Sequence, residues 1–269
     1  MTAPFVPPSS LFLAPDDVVP ALRAAGCVFA EDEAALILDA ARTPAELTAL
    51  VRRRIAGLPL EQVVGWAGFR GLRVSVTAGV FVPRRRTEFL VERALARMPR
   101  ARVVVDLCCG SGAVGAALAA ALDGPVELHA ADIDPVAVDC ATRNLAAYDG
   151  RVHQGDLFAA LPATLRGRVD LLAANVPYVP SGEVGLLPAE ARDHEPQAAL
   201  DGGADGLDVL RRVAAGAPAW LSPGGHLLTE TGERQASAAA SAYTRAGLTA
   251  EVAVCGDTDA HVVIGRWAG

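Results

Sequence analysis

The sequence carries no excess of positive charge. Lysine and arginine together number 24 against 31 acidic residues, a net charge of −7. An enzyme that holds bare duplex DNA needs a positive footprint to neutralise phosphates, so direct duplex binding is not expected. Lysine is absent altogether; all basic residues are arginine, with local runs at Arg52-Arg53-Arg54 and Arg84-Arg85-Arg86. No apolar run reaches about 18 residues without a charge or a breaker, so no membrane-spanning helix is expected. Residues 1–10 lack a basic patch followed by an apolar core, and no signal peptide is expected either. The five cysteines, Cys27, Cys108, Cys109, Cys140 and Cys255, are odd in number and lack metal-ligand spacing, which points to free thiols in a reducing compartment. His129, His153, His194, His226 and His261 form no ligand cluster along the chain, so no metal is expected. A cytoplasmic monomer with a sizeable core is the expectation, given 52% hydrophobic and 20% charged residues.

Residues 1–14 are proline-rich and expected to fray. From 16 to 57 the pattern is one of short helices. Thr43-Pro44-Ala45-Glu46 combines an N-cap, a proline at the first helical position and a capping-box glutamate, and Leu47, Leu50, Val51 and Ile55 follow at helical spacing. Helices this short are not stable alone and should pack on one another and on the rest of the chain. Val63-Val64, residues 72–76 and Val80-Phe81-Val82 read as strands broken by Gly65, Gly68, Gly71 and Gly79, a β-hairpin linker. Beyond Thr87 strands are predicted at 102–107, 127–132, 152–154, 170–174, 226–231, 249–254 and 261–266. Helices are predicted between most of them, at 112–122, 135–147, 206–221 and 233–246. This alternation predicts an α/β fold, Rossmann-like, with a seven-stranded and mostly parallel sheet covered by helices on both faces. The last two strands are joined only by Gly256-Asp257-Thr258-Asp259, so the final one should run antiparallel. The expected division is a helical N-terminal domain at 1–60, a hairpin linker at 61–85 and a catalytic domain at 86–269.

Asp106-Leu107-Cys108-Cys109-Gly110-Ser111-Gly112 is the end of a buried strand, a tight turn of small residues and the start of an alanine-rich helix. Small residues let the backbone approach a ligand, and a helix N-terminus favours a negative group such as a carboxylate. The second strand ends in Asp132-Ile133-Asp134, an acid about 20 residues after the glycines that suits hydrogen bonding to ribose hydroxyls. Gly110-x-Gly112-x-x-Gly115 also fits the dinucleotide pattern, so the turn alone leaves a nicotinamide-dependent oxidoreductase open. Asp156, in Gly155-Asp156-Leu157-Phe158 after the third strand, is either an adenine-edge partner with apolar flanks or a helix N-cap.

The buried run 169–174 leads directly into Asn175-Val176-Pro177-Tyr178. Pro177 holds Val176 extended and removes a donor at its own position. The Asn175 side chain can then accept one N–H of a planar amide, a neighbouring carbonyl the second, while Tyr178 offers an apolar face. An amide nitrogen is a poor nucleophile because its lone pair is delocalised; two acceptors fix it toward a methyl donor, which is catalysis by positioning and local electrostatics. The residues thus point to an S-adenosylmethionine-dependent N-methyltransferase that releases S-adenosylhomocysteine. Asn175, Pro177 and Tyr178 are the candidate catalytic group, Asn175 to Tyr178 the candidate acceptor site. Asp106, Cys108, Cys109, Gly110, Ser111, Gly112, Asp132, Ile133, Asp156, Leu157 and Asn175 are the candidate methyl-donor site. The arginine run at 84–86 is read as a solvated face, with contact to RNA or an acidic substrate loop as the alternative. Glu195 and Asp193 are read as closing a loop beside the site.

These residues, with Gly57-Leu58-Pro59-Leu60, Phe69-Arg70-Gly71-Leu72, Val82-Pro83-Arg84, Thr87-Glu88, Glu195-Pro196, Asp205-Gly206-Leu207 and Gly224-Gly225 with Glu230, follow one another in an order that resembles the HemK/PrmC family of protein-(glutamine-N5) methyltransferases. The resemblance covers most of the chain. It implies a class I methyltransferase domain, a helical N-terminal domain that helps recognise a protein substrate, and a hairpin between them. It also implies that the glycine turn and Asp132 bind S-adenosylmethionine and that Asn175 to Tyr178 hold a glutamine side chain. The implied partner presents a glutamine in a loop, as peptide chain release factors or a large-subunit ribosomal protein do. Three departures stand out: Val176 where the family has proline, Arg85 and Arg86 where it has proline and glutamate, and Cys108 where it has glycine. They fit a variant branch of the family. Methylation of an exocyclic amino group on a nucleic-acid base shares the tetrapeptide's logic and is the alternative, against the acidic balance of the chain.

Overall fold

The computed structural model describes residues 12–269. The fraying predicted for 1–14 therefore falls mostly outside the described residues; within them, the Leu13 N–H is pinned by Thr48 Oγ1 at 2.8 Å.

Four helices come first: α1 (Val18–Ala24), α2 (Ala30–Ala40), α3 (Pro44–Ile55) and α4 (Leu60–Val64). Thr43 Oγ1 accepts the Glu46 N–H at 3.1 Å, and Glu46 reaches back to the Arg42 N–H at 2.9 Å, one residue beyond the usual capping box. Val18, Leu22, Ile37, Leu47, Val51 and Val63 close into a small core of their own. Val63 and Val64 are thus helical, not the predicted strand; the helix stops at Gly65, whose φ of +86° few other residues adopt. The hairpin is shorter than predicted, with β1 (Trp66–Phe69) paired antiparallel to β2 (Leu72–Ser75) across the two-residue turn Arg70-Gly71. Val80-Phe81-Val82 is likewise no strand. Val80 and Val82 are buried, but the Val80 carbonyl accepts from Gln62 Nε2 and the Val82 N–H donates to Glu195, so side chains replace the ladder.

From α5 (Glu88–Arg97) onward the chain alternates: β3 (Val103–Leu107), α6 (Ala113–Ala121), β4 (Glu127–Asp132), α7 (Pro135–Leu145), β5 (Arg151–Gln154) and β6 (Val169–Ala174). Two short helices, α8 (Ala189–His194) and α9 (Gln197–Leu200), follow β6, then α10 (Asp208–Gly216), β7 (Leu221–Thr231), α11 (Ala236–Arg245), β8 (Thr249–Cys255) and β9 (Ala260–Arg266). The seven strands lie in the order β5-β4-β3-β6-β7-β9-β8, and β9 runs antiparallel to both neighbours, as predicted. The helix predicted to reach 221 ends at Gly216, because Pro218 allows only a short 3-10 turn, and β7 begins earlier than predicted, at Leu221.

Strand residues alternate between two cores. Val104, Leu171 and Leu228 face α5, α6 and α7, whereas Val105, Leu172 and Val263 face α10 and α11. Two histidines that stand apart in the sequence meet across β4 and β5, His129 Nδ1 to His153 Nε2 at 2.9 Å. Among the described residues no group of three or more His, Cys, Asp or Glu is placed to hold a metal, and no helix is long and apolar enough to cross a membrane.

Tyr243 of α11 is fully buried over β9, with its hydroxyl against Thr229 Oγ1 at 3.0 Å. A Cβ on Gly265 would lie 2.4 Å from the Tyr243 ring. Gly265→Ala is therefore expected to destabilise the fold by about 1–3 kcal/mol through overpacking. Chemical denaturation checks this, and an unchanged midpoint contradicts it.

Candidate active site

The glycine turn begins where β3 runs out of partners. Cys108 at φ +53°, Gly110 at +52° and Gly112 at +77° reverse the chain before α6. Cys108 holds a left-handed conformation that costs a non-glycine residue roughly 1–2 kcal/mol. The turn is fastened by Cys109 N–H to the Ala131 carbonyl (3.1 Å) and Gly112 N–H to the Cys109 carbonyl (2.7 Å). Gly112 also packs on α7: a Cβ there would stand 3.2 Å from Ala141 and Leu145 side-chain atoms.

Asp106 lies under this turn, 1% exposed. Its Oδ2 accepts the Gly115 N–H at 2.8 Å, tying β3 to α6, while Oδ1 has no protein partner. Burial, opposed by the Gly115 N–H and reinforced by the nearby Asp132 charge, pushes its carboxyl up to about 7. Asp132 ends β4 beside it. One oxygen accepts the Gly110 N–H at 2.8 Å and the other the Asp134 N–H at 3.0 Å. Burial raises its pKa too, against these N–H donors. Each carboxylate oxygen keeps a lone pair free for a hydroxyl. Ile133 is exposed at the rim (59%), an apolar surface open to a planar ligand. Asp156 stands at the N-cap position of the short 3-10 turn that follows it, but its side chain makes no cap hydrogen bond there. It pairs instead with Arg212 at 2.6 Å, at the edge of the same cavity. Leu157 behind it has φ +49°, a strained conformation of the kind found at ligand sites.

The register Leu107↔Ala174 places the residues that follow β3 and β6 side by side. Asn175 is half-buried, and its Oδ1 is a buried acceptor without any hydrogen bond. Val176 borders the cavity, but its side chain is 1% exposed and packs in the core with Leu207 and Leu210. Tyr178 is fixed at its carbonyl by Gln235 Nε2 (2.8 Å) and at its hydroxyl, which donates to Glu230 Oε1 at 2.8 Å. Burial and the Glu230 charge push the phenol up, so it stays protonated.

One cavity of ≈ 870 Å³ joins the turn, Asp132, Asp156 and the Asn175 segment, a size that admits a nucleoside-sized ligand together with a substrate side chain. The residues fit such a ligand. Asp106 Oδ1, Asn175 Oδ1 and Thr87 Oγ1 border it as polar atoms without partners, and Gly110 has open space where a side chain would stand.

The sequence missed some of the wall. Thr87 is 2% exposed, with a free hydroxyl. The arginine run is solvated at Arg85 and Arg86, as read, but two of its members are also paired: Arg84 with Glu195 at 2.6 Å and the exposed Arg86 with Glu230 at 3.0 Å. Glu195 closes its loop as read, taking the Val82 N–H as well, while Asp193 only pairs with its exposed neighbour Arg192. No spacing in the sequence signals the acids on β7 and before α9 as partners of an arginine run so far away along the chain.

A sheet of this order with a glycine turn and an acid at the ends of adjacent strands defines a class I methyltransferase. A family model described as methyltransferase small domain matches residues 71–187. The methyltransferase of Pyrococcus furiosus superposes with a TM-score of 0.54 at 16% identity, over 73% of this chain and 89% of that one. The 16S rRNA methyltransferase RsmC of T. thermophilus, solved with AdoMet and guanosine, gives 0.54 at 21% identity, over 75% and 49%. Curated relatives are much nearer in sequence. The release factor glutamine methyltransferase of Geobacter sulfurreducens is 40% identical over 214 residues, 78% of this chain and 74% of the relative. That of Xylella fastidiosa is 41% identical over 239 residues, 86% and 84%. The ribosomal protein uL3 glutamine methyltransferase of Bordetella pertussis is 40% identical over 211 residues, 74% and 69%. The chain belongs to this family of glutamine methyltransferases, and the oxidoreductase alternative falls away.

The Asp106 carboxyl takes up its proton near 7 when folded and near 3.8 otherwise. The stability that protonation contributes is therefore complete below about pH 4 and lost as pH rises through about 7. Asp106→Asn keeps an oxygen for the Gly115 N–H and cannot ionise. Thermal melts should show a higher melting temperature than wild type above pH 7 and a weaker decline between pH 4 and 7; identical pH profiles contradict the assignment.

Proposed function

We infer that this protein transfers a methyl group from S-adenosylmethionine to the side-chain amide nitrogen (N5) of a glutamine in a protein, a peptide chain release factor or a ribosomal protein. The observation that carries the reading is the buried, unpartnered Oδ1 of Asn175, one strand away from the glycine turn. S-adenosylmethionine, when bound, supplies a methyl group on a positively charged sulfur and leaves as S-adenosylhomocysteine. Asp132 holds the ribose hydroxyls, Ile133 and Leu157 flank the adenine, and Asp156 accepts from its amino edge. Cys108, Cys109, Ser111 and the backbone at Gly110 and Gly112 line the donor's path. Asp106 braces the turn beneath it, and Thr87 offers a hydroxyl to the same cavity.

Asn175 Oδ1 accepts one amide N–H of the glutamine, a carbonyl of the segment accepts the other, and the Tyr178 ring walls the plane. Val176 acts only through the backbone, since its side chain belongs to the core. The nitrogen gains one carbon and sheds one proton. The acceptors here are weak bases, so the proton goes to solvent, and rate comes from alignment in a dry site. The helices before residue 60 form a substrate-recognition unit, and residues 61–85 link it to the catalytic domain.

Incubation with S-adenosylmethionine and recombinant release factor or uL3, followed by peptide mass mapping, should place one methyl group on one glutamine. Asn175→Ala is expected to lower the rate about 10²–10³-fold, as losing one preorganised hydrogen-bond partner does. Its methyl-donor affinity should fall far less. Methyl groups found on a nucleic-acid base instead, or a variant with full activity, overturn the reading.

A further inference from the structure

One arginine of the 84–86 run meets the tyrosine that closes the Asn175 segment. The Tyr178 hydroxyl donates to Glu230 Oε1 at 2.8 Å and accepts from Arg86 Nη2. Arg86 Nε donates to the same carboxylate oxygen at 3.0 Å. Two donors therefore converge on one oxygen, and the guanidinium spans both the acid and the phenol. Glu230 lies on β7 with its side chain 2% exposed, and Arg86 is its only cationic partner among the described residues. Arg86 itself sits in the short 3-10 turn Arg85–Thr87 just ahead of α5, with its guanidinium carbon 5.6 Å from the Tyr178 ring centroid. At its other end Tyr178 is held through its carbonyl by Gln235. Arg86 and Glu230 thus fix the ring from two separate elements, and Gln235 fixes the backbone that carries it.

Such fixing matters to a reaction that depends on alignment. A misplacement of about 1 Å can cost roughly 10²-fold in rate. A lysine would deliver a point charge to Glu230, whereas the planar guanidinium delivers Nε to the acid and Nη2 to the phenol at once.

We propose that Arg86 is a positioning residue for the methyl acceptor: with Glu230 it fixes the Tyr178 ring against which the substrate amide is laid. The proposal rests on the reading of Asn175 to Tyr178 as the amide-holding segment. Arg86 acts through Tyr178 and makes no required contact with the substrate.

Arg86→Met alone leaves a buried carboxylate without its cation and endangers folding. It is therefore compared with Arg86→Met/Glu230→Gln, in which both charges are removed. Methylation of recombinant release factor by the full chain is measured together with S-adenosylmethionine affinity by calorimetry. The ring of Tyr178 is followed by NMR after carbon-13 tyrosine labelling; the chain has three tyrosines, and Tyr178→Phe identifies the signal. In the double variant kcat should fall about 10²-fold, as misalignment does. KM for the release factor and the donor affinity should each move less than about threefold, and the Tyr178 signal should shift. Adding the Arg86→Met/Glu230→Gln pair to Tyr178→Phe should lower kcat less than about threefold further, because the path through the hydroxyl is already cut.

Unchanged kcat, a change in KM alone, an unmoved ring signal, or full additivity with Tyr178→Phe each overturns the proposal. Should wild-type protein leave both release factor and uL3 unmethylated, the functional reading fails instead, and the ring signal alone decides whether Arg86 fixes Tyr178.

Discussion

The pairing of β3 with β6 is the constraint on which the rest depends. β3 continues through α6 to β4 on one side, while β6 lies on its other side and continues to β7. Connections that leave in opposite directions open a crevice at the carboxyl ends of the two strands. The register Asp106↔Ala173 and Leu107↔Ala174 then sets the glycine turn beside Asn175. Both faces of these strands are buried, so a slip of one residue would turn apolar side chains to the wrong core and is strongly disfavoured. Packing of Val104 and Val105 on opposite faces thus fixes where a methyl donor and its acceptor can meet.

The crevice gathers several energetic costs around one cavity. Asp106, Asn175 and Thr87 each keep a buried polar atom without a partner, each worth about 1–3 kcal/mol if it stays so. Cys108 and Leu157 add backbone strain at the same cavity. Beside them Glu195 is held by Arg84 and the Val82 N–H, while Glu230 takes Arg86 and Tyr178 on Oε1 and keeps Oε2 buried without a partner. Open polar atoms of Asp106, Asn175 and Thr87 around one cavity, with strained backbone beside them, suit a ligand that brings hydrogen-bonding groups of its own. A ribose and a carboxamide both do.

Much of this was legible before the structure. The strands of the sheet carry continuous apolar runs, helices α6 and α7 have clear beginnings at Gly112 and Pro135, and the short Gly256 turn dictated the antiparallel end. Asp132 and Asn175 stood out because each follows directly on a buried strand. Short clusters of valine were misread: Val63-Val64 and Val80-Phe81-Val82 have no period, so burial in a helix or an irregular stretch looks the same as a strand. The arginine run was read as solvated, which holds for Arg85 and Arg86, but its ion pairs were missed. Charge next to charge in sequence looks like solvent, but Arg84 and Arg86 find acids on Glu195 and Glu230, pairs |i−j| 111 and 144 residues apart, which only the fold brings together. The same holds for His129 and His153, whose contact is made by the β4–β5 register.

The most direct measurement is a crystal structure of the protein with S-adenosylhomocysteine and a glutamine-bearing peptide from a release factor. The account predicts the nucleoside between Asp132 and Asp156, and the glutamine amide nitrogen within hydrogen-bonding distance of Asn175 Oδ1, turned toward the donor sulfur. A peptide glutamine bound away from Asn175, or a donor seated outside the glycine turn, would contradict it.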